Sequence, residues 1–130
     1  MTDHVQLVRI FVEALAADDA TVFDTMLADN FVWRDKDTVL NKAQYQDAIT
    51  RPVPDDTHST TTIIDVTAFG NWIAVSSVDN FRGHDHNPYR INSRANWRVA
   101  NGMIVEGHGG VATVEKLDSS SGRWITVRDL

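Results

Sequence analysis

The stretch Pro88 to Glu115, PYRINSRANWRVANGMIVEGHGGVATVE, constrains the fold of this chain more than any other. Two long runs rich in strand-forming residues meet at Asn101-Gly102, and an Asn-Gly pair tolerates the positive φ angles of a type I′ hairpin turn. Pairing outward from that turn sets Ala100 against Met103, Val99 against Ile104, Trp97 against Glu106 and Ala95 against His108. Side chains along a strand alternate between faces. One face of the ribbon then carries Ile91, Ser93, Ala95, Trp97, Val99, Ile104, Glu106 and His108. The other carries Arg90, Asn92, Arg94, Asn96 and Arg98 with Val105 and Thr113. An apolar face with a few ionisable groups set into it has the character of a ligand pocket.

The segments before the hairpin are helical first and extended later. Thr2 or Asp3 can cap a helix in which Val5, Val8, Val12 and Leu15 recur at three- and four-residue spacing. Asp18-Asp19 breaks it and caps a second helix, Ala20 to Leu27. Phe31 to Asp35 is a short strand, and Asn41 to Ile49 a third helix with Tyr45 turned inward. Pro52 and Pro54 end that helix in a polar loop. Strands follow over His58 to Phe69 and Trp72 to Arg82, joined at Gly70-Asn71, and Arg123 to Arg128 forms a last one. Helices first and antiparallel strands afterwards predict one α+β domain spanning residues 1–130, with three helices on one face of a curved antiparallel sheet. Val8, Val12, Phe23, Leu27, Ile64, Val75, Val99 and Ile104 should be largely buried.

Charge and composition narrow the partners. A net charge of −6 lacks the basic footprint that nucleic acid or an anionic membrane requires, and Arg90, Arg94 and Arg98 are too few to make one. The absence of cysteine removes thiol nucleophiles, thiolate metal sites and disulfides. No window approaches the ~20 apolar residues of a membrane span, and the start, MTDHVQLVRIF, lacks the basic n-region and long apolar run expected of a signal peptide. A cytoplasmic protein is expected. His84, Asp85 and His86 are metal-type donors, but spacing fixes no third and fourth ligand, and a polar inter-strand loop uses such residues anyway. Neither a metal nor another cofactor is expected.

Two phrases carry a family resemblance: Leu27-Ala28-Asp29-Asn30-Phe31-Val32-Trp33-Arg34-Asp35 after two helices, and the hairpin turn Asn101-Gly102-Met103-Ile104-Val105-Glu106. Over roughly residues 4 to 115 the chain resembles the NTF2-like superfamily, closest to the SnoaL-like polyketide cyclases and ketosteroid isomerases. The resemblance implies a conical cavity and sets Asp35 where the isomerases carry their general base. It sets Phe11 and Ala95 where they carry oxyanion-hole donors, and neither residue can donate from its side chain. It also implies a homodimer through the outer face of the sheet, with Arg90, Arg94 and Arg98 in the interface.

The candidate catalytic pair is therefore Asp35 and His108. A carboxylate in an apolar cone loses hydration and becomes a usable base near neutral pH. His108, opposite Ala95, would exchange a proton, with Glu106 holding its tautomer. Trp33, Tyr45 and Trp97 would wall the cavity for a flat hydrophobic ligand, with Phe11 and Ala95 lining it and Asp79 at its mouth. Gly107, Gly109 and Gly110 signal a bulge or a close backbone approach. The expected function is cofactor-independent proton transfer of cyclase, isomerase, dehydratase or epoxide-opening type on a hydrophobic carbonyl or polyketide-like compound. The alternative is a non-catalytic ligand-binding or dimeric interaction module of the same fold.

Overall fold

Asp3 starts the first helix: its carboxylate accepts from Val5 N at 3.0 Å, and α1 runs His4–Ala16. The computed structural model describes residues 3–50, 60–83 and 85–129. Thr2, the loop prolines Pro52 and Pro54, His58 at the expected start of a strand, and His84 lie outside the described residues. Asp18 takes a positive φ of 58° and ends α1, and Asp19 accepts from both the backbone N and the hydroxyl of Thr21. The short α2, Thr21–Met26, follows and runs directly into β1, Leu27–Asp35. β2, Thr38–Asn41, was not apparent from the sequence. Asn41 and Gln44 then exchange side-chain-to-backbone hydrogen bonds, a capping box that opens α3, Lys42–Thr50.

The remaining chain is sheet: β3 Thr60–Phe69, β4 Trp72–Arg82, β5 Pro88–Ala100, β6 Met103–Asp118 and β7 Arg123–Asp129. The order is β2-β1-β6-β5-β4-β3, with β7 also on β6. Every pairing is antiparallel except β1 with β6, so the curved sheet is mixed where the sequence predicted a wholly antiparallel one. β6 is the long central strand. One edge follows β5 throughout, while the other pairs with β1 at Ile104–His108 and with β7 from Thr113 to Asp118. α1 packs on β3 and β4, α2 on β1, and α3 on β1 and β2. Among the described residues no helix is long and apolar enough to cross a membrane.

The core between helices and sheet includes Val8, Phe11, Phe23, Leu27, Phe31, Tyr45, Ile73, Val75, Trp97, Val99 and Ile104. Ile64 is the exception to the expected burial, at 61% exposed. The β3–β4 register shifts between Ile63 and Asp65, so Ile63 packs on the core and Ile64 turns to solvent.

The same device alters the central hairpin. Asn101 and Gly102 take φ of 53° and 74°, as the type I′ turn requires, and Ala100–Met103 and Val99–Ile104 pair as expected. Val105 is then an extra residue on β6. Beyond it Arg98 faces Glu106, Trp97 faces Gly107, Asn96 faces His108 and Ala95 faces Gly109. One bulge exchanges the faces of every following β6 residue. Glu106 and His108 therefore lie with the arginines on the outer face, and Gly107 and Gly109 lie with Trp97 and Ala95 on the inner one. A second shift at Gly110 and Val111 restores the original parity, setting Thr113 against Asn92. Only glycine fits at Gly110, where a Cβ would stand 2.2 Å from the Arg94 carbonyl oxygen.

Candidate functional site

The inward face is walled by rings. Trp97 from β5 lies 5.3 Å (centroid to centroid) from Trp33 of β1, 5.2 Å from Phe11 of α1 and 6.3 Å from Tyr45 of α3. Trp33 and Tyr45 are 5.1 Å apart, and Phe31 meets both Tyr45 and Trp97. Such contacts contribute about 0.5–1.5 kcal/mol each beyond area burial. Trp97 and Tyr45 are buried, while Trp33 is half-buried. Burial pushes the Tyr45 hydroxyl well above the usual phenol range, because a phenolate there would lose its hydration. Tyr45 is the one buried side chain of α3.

Two glycines make this wall possible. A Cβ on Gly107 would stand 2.7 Å from both Trp33 Cε3 and Trp97 Cζ3, so the two indoles close over bare backbone. Gly109 does the same for Asp35: its missing Cβ would stand 2.8 Å from the Asp35 Cγ. Asp35 follows Trp33 by two residues on β1, on the same face, and its carboxylate seats on β6 at the end of the ring wall. It is exposed, so the dehydration expected of it does not occur.

His108 and Asp35 do not share a cavity. Past the bulge His108 turns outward, where its Nε2 lies 2.6 Å from Glu106 Oε2 and its ring meets Trp72 edge-on at 5.1 Å. Glu106 is flanked there by Arg34 at 3.9 Å and Arg98 at 3.8 Å. The Glu106–His108 pairing expected from the sequence is present, but on the opposite side of the sheet from Trp97. Its physical cause is the single extra residue at Val105.

Phe11 is fully buried and Ala95 packs partly buried against the same core, so both line the inward face. Asp79 follows Ile73, Val75 and Ser77 along β4 and is half-buried, accepting a short hydrogen bond from the Thr61 hydroxyl. Ser77 and Ser93 are hydrogen-bonded across the strands at 3.2 Å. The inward face thus grades from aromatic to polar along β4 and β5. In the loop, Asp85 is committed to structure: it accepts from Asn87 N and Tyr89 Oη and pairs with Lys116 Nζ at 2.9 Å. The Asn87 and Lys116 contacts hold its carboxyl well below the usual range.

Gly107 and Gly109 were not assigned to the site from the sequence. Their spacing, two glycines at i and i+2 in a strand facing bulky aromatics, was the available signal.

Comparisons with known proteins agree with this architecture. The profile of the SnoaL-like domain matches residues 8–107. No curated protein sequence matches the chain. Among solved structures, IdmH of Streptomyces antibioticus, a candidate polyketide cyclase, is 16% identical with a TM-score of 0.69, over 84% of this chain and 91% of that one. An LEH-like epoxide hydrolase of M. tuberculosis is 16% identical with a TM-score of 0.65, over 82% and 80%. An NTF2-like protein of unknown function from Burkholderia pseudomallei is 19% identical with a TM-score of 0.69, over 85% and 91%. At these identities the likeness is one of fold.

Proposed function

The chain belongs to the SnoaL-like domain family, and from that premise we propose a cofactor-independent enzyme that moves a proton on a neutral hydrophobic compound. The carrying observation is the seat of Asp35 over Gly109, on the same face as the Trp33–Tyr45–Trp97 wall. A flat ligand lying against those rings would hold a C–H bond, or an attacking water, beside the carboxylate. Asp35 takes the proton, and returns it when the product carbon or oxygen is protonated. Holding the reacting groups in one place supplies much of the rate advantage. Relatives of this fold named as an epoxide hydrolase and a candidate polyketide cyclase support chemistry of this kind. A homodimer acting in the cytoplasm belongs to the same proposal.

A second function, binding without chemistry, is favoured by one observation: rings close the wall, and Phe11 and Ala95 bring no side-chain donor to it. One experiment separates the two. Compounds that quench tryptophan fluorescence are selected from a panel of cyclic ketones and epoxides, then assayed for turnover with the wild type and Asp35→Asn. Enzymatic use of Asp35 predicts unchanged binding and a loss of about two to four orders of magnitude in kcat. Full turnover in Asp35→Asn removes Asp35 from the chemistry. Binding without turnover in either protein identifies a binding module.

A further inference from the structure

Asn101 and Gly102, both exposed, form the turn of the central hairpin, with φ of 53° and 74°. Of the eight asparagines in the sequence, only Asn101 precedes a glycine. A Cβ built on Gly102 meets nothing within 4 Å, so its peptide nitrogen is open to water on that flank. The strands on either side are fixed. Ala100 pairs with Met103 and Val99 with Ile104, the latter two residues being 1% and 0% exposed. The peptide between Asn101 and Gly102 lies outside those pairs.

We propose that this turn is a self-modification site, at which Asn101 loses its side-chain amide to attack by its own neighbour. The Gly102 nitrogen attacks Asn101 Cγ, a new N–Cγ bond closes a five-membered imide, and the Cγ–Nδ2 bond breaks. Ammonia leaves with the proton that the Gly102 nitrogen gives up. Water then opens the ring at either carbonyl, and nothing is oxidised or reduced. Opening at Cγ leaves aspartate. Opening at the main-chain carbonyl leaves isoaspartate, in which the chain runs through the former side chain and is one carbon longer. Ring closure needs the Gly102 nitrogen eclipsed with Asn101 Cβ, at a ψ of about −120°, which is the value at the first central residue of a type II′ turn. Types I′ and II′ share a positive φ at that residue and differ by a flip of the central peptide. Asn101 already holds the required φ, and Gly102 accepts either sign of φ, so the flip leaves both strands paired. Either product adds one negative charge to the net −6. Isoaspartate also lengthens the turn from which the pairing of β5 and β6 is counted, and so loosens the hairpin at its closed end. The site is independent of the inward face and of the proposed activity.

The test keeps the folded protein in mildly alkaline buffer at body temperature for weeks. Peptide mapping with electron-transfer fragmentation, which separates isoaspartate from aspartate, follows every asparagine. Asn101 should convert ahead of all the others, to a mixture of the two products, in a species retained longer on an anion exchanger. Gly102→Ala crowds the attacking nitrogen and should slow conversion at least about tenfold, as a barrier raised by about 1.4 kcal/mol does. Should Gly102→Ala fail to fold, Asn101→Gln keeps the glycine and an amide but demands a larger ring, and conversion should cease. The isoaspartate form should unfold at lower urea than Asn101→Asp, which carries the added charge alone. An intact Asn101 in the protein, while the free peptide Val99 to Val105 converts in the same buffer, would show that the hairpin shields the site and would overturn the proposal. Aspartate forming without isoaspartate, or an unchanged rate in Gly102→Ala, would overturn attack by the Gly102 nitrogen. Equal urea midpoints for the isoaspartate form and Asn101→Asp would overturn the loosening of the hairpin.

Discussion

Gly107 and Gly109 do more to shape the inward face than any larger residue, because each sets how closely a functional side chain approaches β6. Gly107→Ala drives a methyl into two indoles, that of Trp97 buried and that of Trp33 half-buried. Overpacking of this kind costs about 1–3 kcal/mol, which should appear as a lower urea midpoint at unchanged m-value. The same change at Gly109 meets the exposed end of Asp35, which can swing aside, so its stability cost should be the smaller of the two. Equal losses at both positions would mean that Gly107 does not seat the indoles. Asp35 was legible in the sequence through its place after Phe31-Val32-Trp33-Arg34, and the rings through alternation and helix position. The buried Trp97 nitrogen, without a partner among the described residues, was not, since a missing acceptor is visible only once every neighbour is placed.

At the level of elements, the bulge at Val105 decides which chemistry faces which way. Deleting Val105 removes the extra residue and makes Glu106 the neighbour of Ile104, so Arg98 still faces Glu106, Trp97 still faces Gly107, and Glu106 and His108 should stay on the outer face. The deletion buries no charge, so it should keep the near-ultraviolet circular dichroism of the ring wall and lower the urea midpoint only modestly. Loss of that near-ultraviolet signal would show that the local bend at Val105, and not the register alone, holds the ring wall together. The far half of the same hairpin gives a pH dependence. Arg90 Nε donates to Glu115 Oε1 at 2.8 Å, Asn92 adds a second hydrogen bond, and Arg90 foremost holds the Glu115 carboxyl below its ordinary range. A carboxylate lowered on folding contributes stability above its unfolded value, about 4.3, and that contribution is lost as pH falls through the folded value. Arg90→Met should therefore lower the urea midpoint at pH 6, and the gap to wild type should narrow towards pH 3. A constant gap would assign the effect to lost packing of Arg90 over Trp124.

At the scale of the whole molecule, the outer face holds Arg94 exposed, with Arg90 and Arg98 tied to Glu115 and Glu106 of their own chain. A two-fold pairing of that face predicts a dimer in sedimentation at micromolar concentration, weakened at least about tenfold by Arg94→Glu; a monomer there removes the interface. Sequence alone determined the helices, the strands other than β2, the Asn101-Gly102 turn and the three-ring wall, because periodicity, capping and turn chemistry act between residues close along the chain. It did not determine the parallel pairing of β1 with β6, whose partners Trp33 and Gly107 meet only through the fold. Nor did it determine the side taken by Glu106 and His108. Face along a strand is a running count from the turn, and one inserted residue inverts everything beyond it. Whether Val105 is inserted depends on what lies across the sheet: only when Trp33 and Trp97 close on the same strand does a glycine there, and not a glutamate, fit.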